Sequence, residues 1–184
     1  MGKKGRKSTY IKQMTYRENN LLKQLANTGL CSIEQAKNFW GISRDRLQKL
    51  QKSGYVKIEK ANPVGGALIE LVRLDLKGKN YCTNKIGVRY FYKSNLNQCN
   101  HDLKLTEAYY QVSCKFKEFI WRNETEISNT YKELLINGKD CVDAVVQCGT
   151  DIFAIEVIGH KYTQETINNK VEVGNRVAGR TVLI

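Results

Sequence analysis

Hydrophobic residues recur at helical spacing in three short segments near the start of the chain. Each segment follows a residue whose side chain can cap a helix, namely Thr15, Ser32 and Ser43. Glu18 and Gln35 stand three positions after the first two of these caps, which is the capping-box pattern. A glycine lies at or soon after the end of each segment, so the pattern predicts three consecutive helices.

Two strand-like segments follow the third helix. Residues 55–58 and 68–76 are rich in β-branched and apolar side chains, and residues 62–66 between them contain Pro63 and two glycines. Three helices followed by a β-hairpin is the order of a winged helix-turn-helix domain, which we predict for residues 15–80. We expect residues 1–14 to form a flexible basic arm.

Apolar residues return at helical spacing from residue 102 onward and predict a helix of about four turns, with Asp102 as its N-cap. We predict a strand over residues 121–127, two more strands around residues 143 and 156, a helix capped by Thr163 and a last strand at 181–184. This αβββαβ order makes the fold class α/β (α+β). It assigns residues 99–184 to a second domain and residues 81–98 to a connection.

Aromatic and basic residues interleave in the connection. Such a pattern can stack on nucleic-acid bases, or it can pack one domain against the other, and we favour packing. The residues concerned are Tyr81, Tyr90, Phe91 and Tyr92 with Lys85, Arg89 and Lys93.

Two acidic residues, Asp143 and Glu156, stand among apolar neighbours on the second and third predicted strands. Ile152, Ala154 and Glu156 should share one face of the third strand, with the intervening residues on the other, and both faces look buried. A buried carboxylate must be paired, hydrogen-bonded or metal-bound to offset its lost hydration. The pair is therefore a candidate Mg²⁺ site, while a turn cap and a structural ion pair are the alternative.

The net charge of +12 predicts an acidic partner, and nucleic acid is the commonest one for a protein of 184 residues. We expect no membrane partner, because no apolar run approaches the roughly 18 residues that span a bilayer. The basic N-terminus has no apolar segment after it, so a cytoplasmic location is expected. The six cysteines show no metal-ligand spacing, and we expect them to be reduced.

The third helix leaves basic and amide side chains on the face opposite its leucines. These side chain types bond phosphates and base edges when a recognition helix enters the major groove of duplex DNA. A solvated surface is the alternative. The candidate DNA-binding residues are Arg44, Arg46, Gln48, Lys49 and Lys52.

The element order of the second half, with an Asp on one strand and a Glu on the next, resembles the restriction-endonuclease-like core of PD-(D/E)xK nucleases. A winged helix followed by His-Asp-Leu (101–103), Asp-Ala-Val-Val (143–146) and Phe-Ala-Ile-Glu-Val (153–157) is similar to the replication-relaxation family of plasmids, phages and integrative elements. The resemblance covers residues 15–184. It implies a DNA-binding protein that acts in replication, transfer or regulation of a mobile element, on the bacterial nucleoid or on a plasmid.

The resemblance matches Asp143 and Glu156 to the motif acids, but Ile158 stands where the motif has lysine. Lys161 or Lys170 is the expected replacement. In an active Mg²⁺-dependent endonuclease these four residues are the catalytic candidates, with Glu107 as a further metal ligand. In a non-enzymatic DNA-binding protein no cofactor is needed, and the domain serves as a scaffold, for example for a homodimer or for replication or transfer proteins.

His101 has two interpretations of the same kind. It can contact phosphate or act in acid–base chemistry, or it can form hydrogen bonds within a loop while Asp102 caps the helix. We favour the second, because helices commonly begin with Asp.

Overall fold

A computed structural model describes residues 10–62, 66–136, 140–159 and 162–184. Over these residues the chain is a mixed α+β protein with two sheets. The α-helices found there are α1 (Tyr16–Thr28), α2 (Ile33–Trp40), α3 (Arg44–Lys52), α4 (Leu76–Tyr81), α5 (Cys99–Lys115), α6 (Glu124–Thr130) and α7 (Gln164–Ala178). The strands of the same residues are β1 (Leu30–Ser32), β2 (Val56–Ala61), β3 (Ile69–Leu74), β4 (Ile120–Asn123), β5 (Ala144–Cys148), β6 (Asp151–Glu156) and β7 (Thr181–Leu183).

The caps read from the sequence begin the first three helices, which confirms those predictions. Thr15 and Ser32 each accept from the backbone N–H three residues later, and Glu18 and Gln35 accept in return from the cap backbone. Ser43 accepts from the N–H at the third position of α3. These bonds satisfy backbone donors that have no partner inside the helix, so each helix starts at a defined residue.

The first sheet has the order β1-β3-β2, and both of its pairings are antiparallel. Strand β1 was not predicted; it is three residues long and exists through its pairing with β3. The strand predicted for residues 68–76 is shorter in the structure, where β3 spans Ile69–Leu74, because α4 begins at Leu76. Pro63, Val64 and Gly65 of the predicted turn lie outside the described residues, as do residues 1–9 of the predicted arm.

The core of this first half continues beyond residue 80. Helix α4 passes directly into a π-helical turn, Cys82–Ile86, and the side chain of Cys82 is fully buried beside the leucines of α1 and α3. Gly78 permits close packing of α4, since a Cβ there would lie 2.0 Å from the carbonyl oxygen of Tyr55.

Each cysteine of the chain is a free thiol, and Cys114 is exposed.

The second sheet has the order β4-β5-β6-β7, with β7 parallel to β6 and the other pairings antiparallel. Ile155 and Val157 pack with residues of α5, whereas Ala154 packs with the end of α7. The alternation predicted for β6 is therefore confirmed, and both of its faces are covered. The sheet lies between the two helices.

Three element boundaries of the second half were predicted wrongly. Helix α5 begins at Cys99, so Asp102 lies inside its first turn and is not its N-cap. The strand predicted for 121–127 ends at Asn123, whose side chain accepts from the N–H of Glu126 and starts α6. Asp143 immediately precedes β5 instead of lying within it.

A buried polar cluster joins the two halves. The amide nitrogen of Gln24 on α1 donates to the hydroxyl oxygen of Thr106 on α5 at 3.0 Å. The Thr106 hydroxyl donates to the carbonyl of Leu30 at 2.5 Å and lies 2.7 Å from the hydroxyl of Thr28. Gln24, Thr28 and Thr106 are fully buried. Because lost bonds there could not be replaced by water, the cluster fixes α5 against α1 and β1.

Candidate functional site

Asp143 and Glu156 lie side by side where β5 begins and β6 ends. The backbone N–H of Asp143 donates to Glu156 Oε2 at 3.2 Å, and the N–H of Val157 donates to Asp143 Oδ2 at 2.7 Å. Asp143 is 3% exposed and Glu156 is 1% exposed. The predicted convergence of the two acids is therefore observed, and each acid is held by a backbone amide beside the other.

Among the described residues, Lys170 on α7 is the lysine that reaches these acids. Its Nζ lies 2.7 Å from Glu156 Oε1 and donates to the carbonyl of Cys141, also at 2.7 Å. The same Nζ lies 5.3 Å from the centre of the Tyr162 ring. Ile158, at the motif position, is partly exposed. Lys161, the other candidate, lies outside the described residues.

His101 bridges two carboxylates. Its Nε2 lies 3.1 Å from Asp143 Oδ2, and its Nδ1 lies 3.2 Å from Asp102 Oδ1. An imidazole with a carboxylate at each nitrogen can donate to both only when it is protonated. Asp102 also accepts from the hydroxyl of Tyr92 and from the N–H of Asn95, each at 3.2 Å. The buried Asp102 thus holds His101 in place, and the interpretation of His101 as a loop residue was wrong.

Glu124 belongs to the same cluster and was missed by the sequence analysis. It is the first residue of α6, and its N–H donates to the carbonyl of Asp143 at 3.0 Å. The signal that could have found it is the N-cap pattern of Asn123 with Glu126 three residues later. That pattern ends the strand at Asn123 and places Glu124 at the same end of the sheet as Asp143.

Four residues of this cluster, His101, Glu124, Asp143 and Lys170, border a cavity of about 320 Å³. Its wall combines basic, acidic and aromatic groups with the backbone around Val157. Glu107 is exposed on α5 and is not among the described residues of the wall. The wall is formed by Tyr92, Asn97, Gln98, Cys99, Asn100, His101, Lys104, Glu124, Asp143, Val157, Ile158, Gly159, Tyr162 and Lys170.

Burial and mutual repulsion shift the acids of the cluster. Burial, with the charge of Asp143 added to it, raises the pKa of Glu156 to about 7, even though Lys170 opposes the shift. The same two causes raise the pKa of Glu124. Both acids therefore hold protons more tightly than an exposed glutamate does.

At the two cations of the cluster, burial and the neighbouring acids act on the pKa in opposite directions. Burial alone would lower the pKa of His101, but hydrogen bonds and charge from Asp102 and Asp143 outweigh it and raise that pKa to about 10. Burial alone would also lower the pKa of Lys170, but the charges of Glu156 and Asp143 outweigh burial and raise that pKa. At neutral pH His101 and Lys170 are therefore both charged, and they pair with Asp143 and Glu156.

A resident Mg²⁺ does not fit this arrangement. Mg²⁺ requires several carboxylate, carbonyl or water oxygens in a near-octahedral shell. Asp143 Oδ2 faces His101 and the Val157 amide, while the oxygens of Glu156 face Lys170 and the Asp143 amide. Within the described residues no group of three or more His, Cys, Asp and Glu side chains could hold a metal ion. His101 and Lys170 neutralise the charges of Asp143 and Glu156 instead.

The candidate DNA-binding residues divide into two groups. Gln48 and Lys52 are exposed and Lys49 is half-buried, on the side of α3 opposite the fully buried Leu47 and Leu50. These three residues form what we call the α3 face.

The two arginines of α3 are engaged by acids. Arg44 pairs with Glu70 of β3 at 2.6 Å in an exposed ion pair. Arg46 Nε lies 2.5 Å from Oε1 of Glu18, whose side chain is fully buried. Burial alone would raise the pKa of Glu18, but the bonds from Arg46 and Thr15 outweigh it and lower that pKa. Arg46 therefore holds α3 against the start of α1.

No protein-family model, curated protein or solved structure matches this chain. No helix in the described residues is both long enough and apolar enough to cross a membrane.

Proposed function

We propose that this protein binds duplex DNA through α3 of a winged helix-turn-helix unit. The observation that carries the proposal is the α3 face, where Gln48, Lys49 and Lys52 stand opposite two leucines that are fully buried. Amide and amine groups on such a helix can bond base edges and phosphates in the major groove. The net charge of +12 favours a polyanionic partner and rapid association with it.

Arg44 belongs to the same surface. Its ion pair with Glu70 is exposed, since the two side chains are 55% and 29% accessible. Exposed pairs of this kind contribute little, so a phosphate can replace Glu70 at small cost. Arg46 has a different role, because leaving the buried Glu18 without a cation would destabilise the fold.

The second half, in this proposal, is a restriction-endonuclease-like scaffold that does not cleave DNA. The support is the internal neutralisation of its acids: Lys170 holds Glu156, and His101 holds Asp143. Together the two units suit a DNA-binding protein of a plasmid, phage or integrative element that acts in replication, transfer or regulation. In this proposal the scaffold binds a second copy of the chain or a replication or transfer protein.

Duplex binding is tested by fluorescence anisotropy with a labelled duplex between about 50 and 200 mM salt. The double variant Lys49→Ala/Lys52→Ala should bind more weakly, and the slope of log affinity against log salt should fall by about one for each lost phosphate contact. Lys132→Ala/Arg176→Ala, which removes two exposed cations of the second half, is the control for lost charge. Equal losses in the double variant and the control would contradict the assignment of α3.

A metal-dependent endonuclease is the second candidate function. It is favoured by one observation: Lys170 approaches Asp143 and Glu156 from α7 and so replaces the lysine that the motif lacks at Ile158. Both ion pairs of the cluster would have to open in such an enzyme.

Supercoiled and single-stranded DNA, incubated with Mg²⁺ or Mn²⁺, distinguish the two candidates. Asp143→Asn and Glu156→Gln preserve the shapes of the acids and remove their charges. Metal-dependent cutting by the wild type that both variants lose would establish the endonuclease and overturn the scaffold. Intact DNA under conditions in which the protein binds it supports the scaffold.

A further inference from the structure

A second cavity, of about 340 Å³, lies between the two halves on the side of α1 that faces β4. Its wall includes Lys23 of α1, Arg89 and Tyr90 of the connection, and Phe119 and Trp121 at β4. The volume falls within the range of small-ligand sites in proteins. None of these residues belongs to the acidic cluster or to α3, so this is a separate candidate site, which we call the β4 groove.

The basic residues of the β4 groove are not neutralised by the protein. Within the described parts of the chain, neither Lys23 nor Arg89 forms an ion pair. Glu126, the one acid among the described residues of the wall, lies 3.7 Å from Arg122 Nε and is balanced by it. The rim therefore presents positive charge to solvent.

Aromatic surface lies between these cations. Tyr90 is 36% exposed, and the ammonium of Lys23 lies 6.0 Å from the centre of the Phe119 ring. Trp121 is 6% exposed, and its indole N–H has no hydrogen-bond partner among the described residues. Among the aromatic residues of the wall, Tyr90 is therefore the most accessible to a ligand.

The wall is held in place before any ligand enters. The Asn123 side chain donates to the Tyr90 carbonyl at 2.9 Å, and the Thr125 hydroxyl donates to the Phe91 carbonyl at 3.0 Å. The N–H of Tyr92 donates to the carbonyl of Ala26 in α1 at 2.9 Å. Of the aromatic residues of the connection, Phe91 packs in the first core, while Tyr90 borders the groove.

We propose that the β4 groove binds single-stranded nucleic acid, with a base against its aromatic wall and the adjoining phosphates on Lys23 and Arg89. Aromatic surface and unpaired cations are the groups that recognise an unstacked base and its backbone. A base in a duplex cannot enter, because its faces are covered by its neighbours. The inference goes beyond the duplex binding proposed for α3 and uses different residues.

Fluorescence of Trp121 tests the proposal directly. The chain has two tryptophans, so Trp40→Phe leaves Trp121 as the reporter. A 12-nucleotide oligo-dT should quench it saturably at low salt, and oligo-rU of the same length shows whether DNA or RNA is preferred. Lys23→Ala/Arg89→Ala in this background should raise the Kd about tenfold or more, while circular dichroism remains unchanged because both side chains are exposed.

Lys132→Ala/Arg176→Ala removes the same charge elsewhere and should leave the Kd within about twofold. Lys49→Ala/Lys52→Ala should retain oligo-dT binding even where duplex binding is lost, which separates this proposal from the role of α3. Absence of quenching, an equal loss in the charge control, or a parallel loss of duplex binding in Lys23→Ala/Arg89→Ala would each overturn the proposal.

Discussion

Lys170 and Glu156 form a buried ion pair between α7 and the acidic end of the second sheet. Their charged atoms lie 2.7 Å apart, with side chains only 12% and 1% exposed. Gly174, one turn further along α7, makes this approach possible: a Cβ there would lie 2.3 Å from the Thr181 hydroxyl and 2.9 Å from the Ala154 methyl. The helix thereby supplies the positive charge that Ile158, two residues after β6, cannot supply.

Lys170→Met should destabilise the protein by about 3–5 kcal/mol, because it leaves the buried Glu156 next to Asp143 without its cation. Glu156 would then take up a proton more readily, so the loss should be smaller at pH 5 than at pH 8. Urea unfolding at the two pH values measures both effects.

The ion pair of Arg176 and Glu172 on the same helix is the matched control. Its side chains are 45% and 55% exposed, so Arg176→Ala should change the free energy of unfolding by less than about 1 kcal/mol. Similar effects of Lys170→Met and Arg176→Ala would show that the buried pair does not carry the energy assigned to it here.

The sequence predicted elements whose signals are local. The capping boxes of Thr15 and Ser32 depend on partners three residues away, so the starts of α1 and α2 could be predicted correctly. Strand β1 could not, because its three residues are extended only through pairing with β3, some 40 residues later in the chain. The start of α6 was missed, since Asn123 was assigned to a strand over residues 121–127 instead of being recognised as a helix cap.

In the candidate site too, contacts set by local sequence could be predicted, whereas contacts set by tertiary packing could not. Asp143 and Glu156 were predicted to meet, because one short hairpin joins them and few registers are available. Lys170 was one of two candidates, and sequence spacing could not choose between a loop and a helix. The contact of His101 with Asp143 spans 42 residues and depends on how α5 packs across the sheet. Local rules favoured Asp102 as a helix cap and therefore misplaced both residues.

Stability should fall steadily as the pH rises from about 5 to about 10. The folded-state pKa of Glu156 is about 7, above its ordinary 4.5, so the folded protein keeps a proton that the unfolded chain releases between these values. The folded-state pKa of His101 is about 10, above its ordinary 6.5; its stabilisation is complete below pH 6.5 and is lost toward pH 10. Both groups act in the same direction.

Thermal unfolding followed by circular dichroism across this pH range checks the prediction. Glu156→Gln should flatten the lower part of the profile, between pH 4.5 and 7, and His101→Gln the upper part. A melting temperature that stays constant in the wild type, or that rises with pH, would be incompatible with the raised pKa values of these groups.

The two arginines of α3 should differ when each is replaced by alanine. Arg46→Ala leaves the fully buried Glu18 without its cation and should cost about 3–5 kcal/mol of stability. Arg44→Ala breaks an exposed pair and should cost less than about 1 kcal/mol, while it weakens duplex binding. Urea unfolding and anisotropy on the same samples separate the two roles. Equal stabilities for the variants would show that Glu18 does not depend on Arg46.

Thr106→Val tests whether the buried polar cluster holds the halves together. Valine has the shape of threonine, but it can neither donate to the Leu30 carbonyl nor accept from Gln24. Because water cannot replace these bonds at a fully buried position, the variant should lose about 1–3 kcal/mol of stability. Thr130→Val, at an exposed position of α6, should change it by no more than about 0.5 kcal/mol. Urea unfolding measures both variants, and indistinguishable midpoints would mean that apolar packing alone joins α5 to α1.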